Sequence, residues 1–132
     1  MKLKFLGLGA MGFPMASRLA SRQKIGYGVY DIDSSAVSRF IGLHPHTKSL
    51  ISTNAEMEKS KDVVFLSLPG SKEVSETIEG PSSSIIKSLL PGSIVVNTST
   101  CAPECSQECA AHLESRGIAF LDAPVTGEAS IP

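Results

Sequence analysis

The chain has 132 residues, of which 42% are hydrophobic and 19% are charged. This length and composition predict one soluble globular domain that is large enough to bury a core. Twelve basic and 13 acidic residues give a formal net charge of -1 without a basic stripe, so no nucleic-acid partner is expected. No apolar run approaches the ~18 residues that span a bilayer. We therefore expect no membrane partner and a cytoplasmic location, or an organellar one if an upstream targeting segment is missing.

Strand and helix signals alternate along the whole chain. We predict six strands, over residues 3–8, 27–30, 49–51, 62–68, 93–97 and 118–121. Helices are predicted over residues 10–23, from Asp33 or Ser34 to the break at His44-Pro45-His46, from a capping box at 53–56, from Ser71, over 83–89 and over 103–116. Such alternation predicts a parallel sheet covered by helices. The expected fold is a Rossmann-type, doubly wound α/β domain over residues 1–132, with strand order 3-2-1-4-5-6.

Local signals add three expectations about these elements. The apolar run at 62–68 is typical of a strand buried on both faces. Asp33 or Ser34 is expected to cap the second helix, and Ser71 is expected to cap the helix that it begins. For residues 97–100, a helix-start turn in which Thr100 or a neighbour caps the last helix is a structural alternative that is compatible with ligand contact.

A glycine motif opens the chain, where residues 5–16 read F-L-G-L-G-A-M-G-F-P-M-A. Gly7 permits a tight turn, Gly9 allows a pyrophosphate to approach the backbone, and Gly12 lets the helix pack close to the strand. Amides at the helix N-terminus favour bound phosphate. This context predicts a dinucleotide site, although a turn without a ligand and an S-adenosylmethionine site remain alternatives. The expected contacts of this turn are Gly7, Leu8, Gly9, Ala10, Met11 and Gly12.

Asp31 follows the second predicted strand, 19 positions beyond Gly12. A carboxylate at this place accepts hydrogen bonds from the ribose hydroxyls of NAD and repels the 2′-phosphate of NADP. The nearest following basic residue is Arg39. We therefore expect NAD as the preferred cofactor, with NADP as the alternative; a purely structural role of Asp31 near the following helix cap remains open.

The turns after the predicted strands are expected to meet in one crevice. Right-handed crossovers bring the carboxyl ends of parallel strands to the same edge of a sheet. The ligand crevice is therefore expected between the turns that follow Leu8, Tyr30, Leu68, Asn97 and Leu121.

Four segments resemble one known family in order and spacing. The opening residues 5–16 resemble the signature of the 3-hydroxyisobutyrate dehydrogenase family of β-hydroxyacid dehydrogenases, which are relatives of 6-phosphogluconate dehydrogenase. Leu68-Pro69 resembles the family's turn after strand four, 97–100 resembles its D-S-S-T segment, and 122–127 resembles its D-A-P-V-S-G motif. The resemblance covers essentially the whole chain and implies NAD-dependent oxidation of a 3-hydroxy acid.

The resemblance also implies roles for residues in these segments. The turn after strand four borders the cofactor, and the segment after strand five lies near its nicotinamide end. Further cofactor contacts are therefore expected at Leu68, Pro69, Thr98 and Ser99, and substrate contacts at Thr100, Thr126 and Gly127.

The chain departs from the family's pattern where catalysis is concerned. The family carries its catalytic lysine on a second, helical domain, and no lysine here matches that motif. We therefore expect the chain to bind NAD(P). Binding of a small 3-hydroxy acid is expected to require the second domain, so activity of this chain alone is not expected. A stand-alone NAD(P)-binding regulatory or partner module remains the alternative. An exposed docking seam would favour self-association into a homo-oligomer.

The three cysteines, Cys101, Cys105 and Cys109, do not predict a metal site. Their spacing lacks the second ligand pair that is typical of zinc sites. Cys105 and Cys109 lie four residues apart and share a helical face with Leu113, which is typical of cysteines that pack as small apolar side chains.

Overall fold

The computed structural model describes residues 2–22, 27–50, 59–80 and 84–125. The strands are β1 (Lys2–Leu6), β2 (Tyr27–Tyr30), β3 (Lys48–Ser49), β4 (Asp62–Leu66), β5 (Ile94–Asn97) and β6 (Ala119–Asp122). The helices are α1 (Gly12–Arg22), α2 (Ser34–Leu43), α3 (Ser71–Glu79), α4 (Ser84–Lys87) and α5 (Pro103–Glu114). The helix predicted from the capping box at 53–56 lies outside the described residues.

All described strand pairs are parallel, in the order β3-β2-β1-β4-β5-β6. The predicted Rossmann-type fold and its strand order are confirmed. The order reverses between β1 and β4, so the ends of these two strands flank the switch point at which such sheets bind ligands.

Two apolar clusters cover opposite faces of the sheet. One joins Val64 and Leu66 of β4 to Val74 of α3 and Leu113 of α5. The other packs Phe5, Ala16, Tyr27, Val29, Ala36, Val37 and Phe40, and it joins β1 and β2 to helices α1 and α2. This division follows from right-handed crossovers, which place the helices of the two halves of the sheet on opposite faces.

The two faces of β4 are buried to different extents. Val64 and Leu66 are fully buried, whereas Val63 and Phe65 on the other face are only half-buried. Helices α3 and α5 pack on the first face, and on the other face Phe65 stacks on Phe5 and packs against the cluster of α1 and α2.

The predicted cap at Asp33 is confirmed, because Asp33 is the N-cap of α2 and its Oδ1 accepts a hydrogen bond of 3.0 Å from the amide of Ser35. The predicted cap at Ser71 is wrong. Gly70 is the N-cap of α3, and the hydroxyl of Ser71 instead accepts a hydrogen bond of 2.9 Å from the amide of Ala102. Ala102 is itself the N-cap of α5 and has no side-chain capping bond, so Thr100 does not cap that helix. The Ser71 hydroxyl therefore joins the first turns of two helices rather than closing one.

Among the described helices, none is long and apolar enough to cross a membrane.

A buried ion pair joins β1 to β4 at the amino-terminal edge of the sheet. The Lys4 ammonium lies 2.7 Å from Oδ2 of Asp62, and the two side chains are 6% and 0% exposed. Ser60 donates a hydrogen bond to the same carboxylate oxygen, and the Asp62 amide donates one of 3.0 Å to Ser93. The other oxygen, Oδ1, is buried and has no hydrogen-bond partner among the described residues. The Lys4 ammonium is thus the main group that offsets the buried negative charge of Asp62.

Replacing Lys4 by Met should lower the free energy of unfolding by about 3–5 kcal/mol, because it leaves a buried carboxylate without its counter-charge. Chemical denaturation measures this loss. Lys2→Met on the same strand is the matched control, since Lys2 is exposed and should change stability by less than about 0.5 kcal/mol. Equal stability of the two variants would contradict the structural importance of this pair.

Candidate functional site

The three glycines of the first turn differ in the space that is available for a side chain. Gly7 has a φ of +102°, and a β-carbon there would overlap the carbonyl group of Ser67. A β-carbon on Gly12 would overlap the carbonyl oxygen of Gly7. A β-carbon on Gly9 would meet nothing within 4 Å, and its φ is not positive. The fold itself requires Gly7 and Gly12, whereas the space beside Gly9 is open to a ligand.

Asp31 fixes the conformation of this turn. Its Oδ2 accepts a hydrogen bond of 2.6 Å from the amide of Leu8, and its Oδ1 accepts one of 2.8 Å from the amide of Asp33. The amide of Gly7 also donates to the carbonyl of Tyr30, at 2.9 Å. Because each carboxylate oxygen has a second acceptor position, Asp31 retains capacity to bind a hydroxyl group.

A crevice of about 680 Å³ opens above these strand ends, and we call it the cofactor crevice. It brings together predicted cofactor residues from three turns, namely Gly7, Gly9, Ala10, Met11, Gly12, Asp31, Leu68 and Pro69. The side chain of Leu8 is buried instead, 3% exposed, and packs in the core cluster of β1 and β2. Leu8 contributes to the site through its amide.

The predicted residues after β5 lie beside the cofactor crevice and support its wall. Ser99 Oγ accepts a hydrogen bond of 2.7 Å from the amide of Leu68, and Thr98 Oγ1 donates one of 2.6 Å to the carbonyl of Leu66. Both side chains are buried, whereas Thr100 is exposed. Thr98 and Ser99 therefore tie the end of β5 to the turn after β4. Thr126 and Gly127 lie outside the described residues.

Sequence reasoning missed one wall of the cofactor crevice. Helix α3 contributes Glu73, Glu76 and Thr77, and Ile32 lies on the rim next to Asp31. Helical spacing was the available signal, because residues three and four apart share a face. Val74 and Ile78 on another side of α3 are buried in the core, which leaves these three positions for the crevice.

A second depression of about 660 Å³ lies on the other side of the glycine turn and is lined by Leu8, Gly9, Ala10, Phe13, Asp31, Asp33, Ala36, Arg39 and Leu43. Hydrogen bonds from the side chain and the amide of Ser35 lower the pKa of Asp33, with a smaller contribution from the charge of Arg39. Two carboxylates and one guanidinium therefore line this depression, and their net charge is negative.

The cysteines do not form a metal centre in the described part of the chain, where no three His, Cys, Asp or Glu side chains are grouped to hold an ion. Cys109 is buried beside Leu113, and Cys105 packs against the same cluster. Burial raises the pKa of both thiols, that of Cys109 to about 12. These two groups are protonated and act as packing residues, as their shared helical face predicts.

The residues of the cofactor crevice fit a dinucleotide. Helix α1 begins at Gly12, and the Phe13 amide donates a hydrogen bond of 2.9 Å to the Gly9 carbonyl, so the amides of residues 10–12 form the N-terminus of the helix beside Gly9. Unpaired amides and the helix dipole stabilise phosphate. The free space at Gly9 admits the pyrophosphate, and Asp31 lies where a ribose would follow.

Comparison with known proteins agrees with this geometry. Residues 2–131 match the family described as the NAD binding domain of 6-phosphogluconate dehydrogenase. The chain belongs to this family. It is accordingly an NAD(P)-binding domain, and the cofactor crevice is built at the position that a Rossmann fold uses for its dinucleotide.

Relatives within this family are longer oxidoreductases. The chain is 34% identical over 125 residues to human mitochondrial 3-hydroxyisobutyrate dehydrogenase, and the aligned region covers 93% of this chain and 35% of that protein. It is 36% identical over 128 residues to NAD-dependent L-serine dehydrogenase of Pseudomonas aeruginosa, covering 96% and 41%. The solved structure of Psf3 in complex with NADP+ and 2-OPP superposes with a TM-score of 0.78 at 25% identity, covering 96% and 43%. The chain spans less than half of each.

The difference between Gly9 and Gly7 is testable by substitution. Gly9→Val should leave the free energy of unfolding within about 1 kcal/mol of the wild-type value and abolish NADH binding, because the new side chain fills the pyrophosphate space. Gly7→Ala should lower stability by more than about 1 kcal/mol, because the residue has a positive φ and contacts Ser67. Urea denaturation and nicotinamide fluorescence measure the two effects. Wild-type NADH affinity in Gly9→Val would contradict this site.

Proposed function

We propose that this domain binds NAD in preference to NADP and serves a dehydrogenase that oxidises a small 3-hydroxy acid. The observation that carries the proposal is the Asp31 carboxylate in the cofactor crevice, directly beside the glycine turn. A carboxylate at the end of the second strand of a Rossmann fold accepts hydrogen bonds from both ribose hydroxyls.

Charge supports the choice of NAD. A 2′-phosphate would approach Asp31 and Asp33, and the lowered pKa of Asp33 keeps that carboxylate ionised at neutral pH. Arg39 is the one basic residue that lines either of the two depressions around Asp31, within the described residues. Psf3 binds NADP+ on a similar fold, so the preference rests on the charges of this chain and not on the fold.

Titration with NADH and NADPH tests the preference, with Asp31→Ala as the variant. The wild-type chain should bind NADH more tightly than NADPH. Asp31→Ala should weaken NADH binding by about 0.5–3 kcal/mol, since hydrogen bonds to a charged acceptor are lost. The ratio of the two affinities should also fall, because repulsion of the 2′-phosphate is removed.

That ratio separates a binding role of Asp31 from its structural role. Loss of the hydrogen bonds to Leu8 and Asp33 loosens the turn and would weaken both ligands equally. Tighter binding of NADPH than of NADH by the wild-type chain would contradict the proposal.

A 3-hydroxy acid is the substrate class that the relatives support. Their names specify 3-hydroxyisobutyrate and L-serine, and both compounds carry a hydroxyl group on the third carbon. NAD supplies the hydride acceptor for such an oxidation. In this proposal Thr98 and Ser99 lie at the nicotinamide end of the cofactor, and Thr100, Thr126 and Gly127 contact the substrate.

The catalytic step requires more than this chain. We propose that the catalytic lysine and much of the substrate site lie on a helical domain outside residues 1–132. The 132-residue chain should therefore bind NADH and show no NAD-dependent oxidation of 3-hydroxyisobutyrate or L-serine, followed as absorbance at 340 nm. Turnover that disappears in Gly9→Val would contradict this division of roles and also the alternative of a binding module without catalysis.

A surface for that domain is available on β6. Leu121 is 54% exposed and Val125 is 37% exposed, and both are large apolar side chains on one edge of the sheet. Such exposure also supports self-association, which stays a prediction. The cytoplasmic location stays a prediction as well, since the human relative is mitochondrial.

A further inference from the structure

We propose that Glu76 on α3 recognises the exocyclic amino group of adenine, so that the cofactor crevice selects an adenine dinucleotide over other purine dinucleotides. This inference rests on the proposed function, because it assumes that Asp31 holds the ribose of NAD. It concerns the one wall of the cofactor crevice that has no assigned role.

The position of Asp31 determines which part of the dinucleotide reaches α3. Asp31 holds the ribose that follows the pyrophosphate, and this ribose carries the adenine. In this proposal the base extends from Asp31 past Ile32 to α3, which lines the same crevice. Besides the glycine turn and Asp31, the lining of the crevice includes Ile32, Leu68, Glu73, Glu76, Thr77 and Ile86.

Apolar side chains provide the surfaces for a flat base. Ile32 is 92% exposed although it is a large aliphatic residue, and it lies on the rim of the crevice. Leu68 lines the same crevice and packs partly against the core. Because apolar surface is unfavourable in water, a base that covers Ile32 gains free energy from its burial.

Two polar groups on the α3 wall are available to the edge of that base. The Glu76 carboxylate and the Thr77 hydroxyl line the crevice, and neither has a hydrogen bond or an ion pair with any described residue. A carboxylate only accepts hydrogen bonds, so it matches an amino group and repels a carbonyl oxygen. The amino group of adenine is such a donor, whereas hypoxanthine and guanine carry a carbonyl oxygen at the same position.

Glu73 is the less suitable of the two acids on this wall. Its carboxylate lies over the first turn of its own helix, with Oε2 at 3.7 Å from the position of a β-carbon on Gly70. Glu73 is the third residue of α3, where a glutamate interacts favourably with the helix N-terminus. Glu76 lies one turn further along and is exposed.

The test compares NADH with the reduced nicotinamide hypoxanthine dinucleotide, in which a carbonyl oxygen replaces the amino group. Both ligands carry the fluorescent nicotinamide, so one titration method serves for both. The wild-type chain should bind NADH about 10-fold more tightly, because the analogue faces Glu76 with an acceptor. Glu76→Gln should bring the ratio of affinities close to one, because the amide of Gln can donate to the carbonyl oxygen.

Glu79→Gln is the matched control, since Glu79 is exposed on the same helix and does not line the crevice. It should keep the wild-type ratio. Circular dichroism verifies that both variants fold. Equal binding of the two dinucleotides by the wild-type chain, or an unchanged ratio in Glu76→Gln, would overturn the role of Glu76 and leave the proposed function intact. Binding of neither dinucleotide would overturn the proposed function itself, and this inference with it.

Discussion

The Asp31 carboxylate is the group on which the rest of the site depends. One oxygen binds the amide of Leu8 and the other binds the amide of Asp33, so a single side chain joins the turn after β1 to the start of α2. Hydrogen bonds to a charged acceptor contribute about 1.5–3 kcal/mol each. The glycine turn therefore has its final shape before a ligand arrives, and less ordering has to occur on binding.

Close backbone packing at Gly7 and Gly12 also fixes the shape of the glycine turn. Gly7 lies directly against the Ser67 carbonyl, and Gly12 lies against Gly7, so β1, β4 and α1 approach more closely than any side chain would permit. Hydrogen bonds from Thr98 to Leu66 and from Leu68 to Ser99 extend this arrangement to β5. The carboxyl ends of four neighbouring strands, β2, β1, β4 and β5, are thus joined along one edge of the sheet. The cofactor crevice is a property of this edge and not of the glycine turn alone.

The sequence predicted the parts of the structure that follow from local patterns and general rules of topology. The apolar runs of β1, β2, β4 and β5 and the glycine spacing were sufficient for the strand order and for the residues of three crevice turns. Helix capping was predicted correctly at Asp33 but not at Ser71, because a cap depends on which partner competes for the side-chain oxygen. Ser71 has the residue type of a cap, but its hydroxyl oxygen accepts a hydrogen bond from the amide of Ala102, 31 positions away.

The bond of Asp31 to the amide of Asp33 lies at the helix cap that the sequence had left open as a structural role, but its bond to the glycine turn and the α3 wall were not foreseen. The Leu8 amide is 23 positions from Asp31, and no local pattern reports a contact at that separation. Glu76 and Thr77 occupy ordinary positions on an exposed helical face, which by itself indicates only solvent. The folded sheet is what turns this face toward the crevice.

The most direct test of the central claim is to map NADH on the ¹⁵N-labelled chain by NMR. If the cofactor crevice is the dinucleotide site, saturating NADH should shift the amides of Gly9, Ala10 and Met11 most strongly, together with those of Ile32 and the crevice face of α3. The amides in the interior of α5, on the far side of the core, should move little. Shifts concentrated in α5, or no saturable shift at all, would contradict the account.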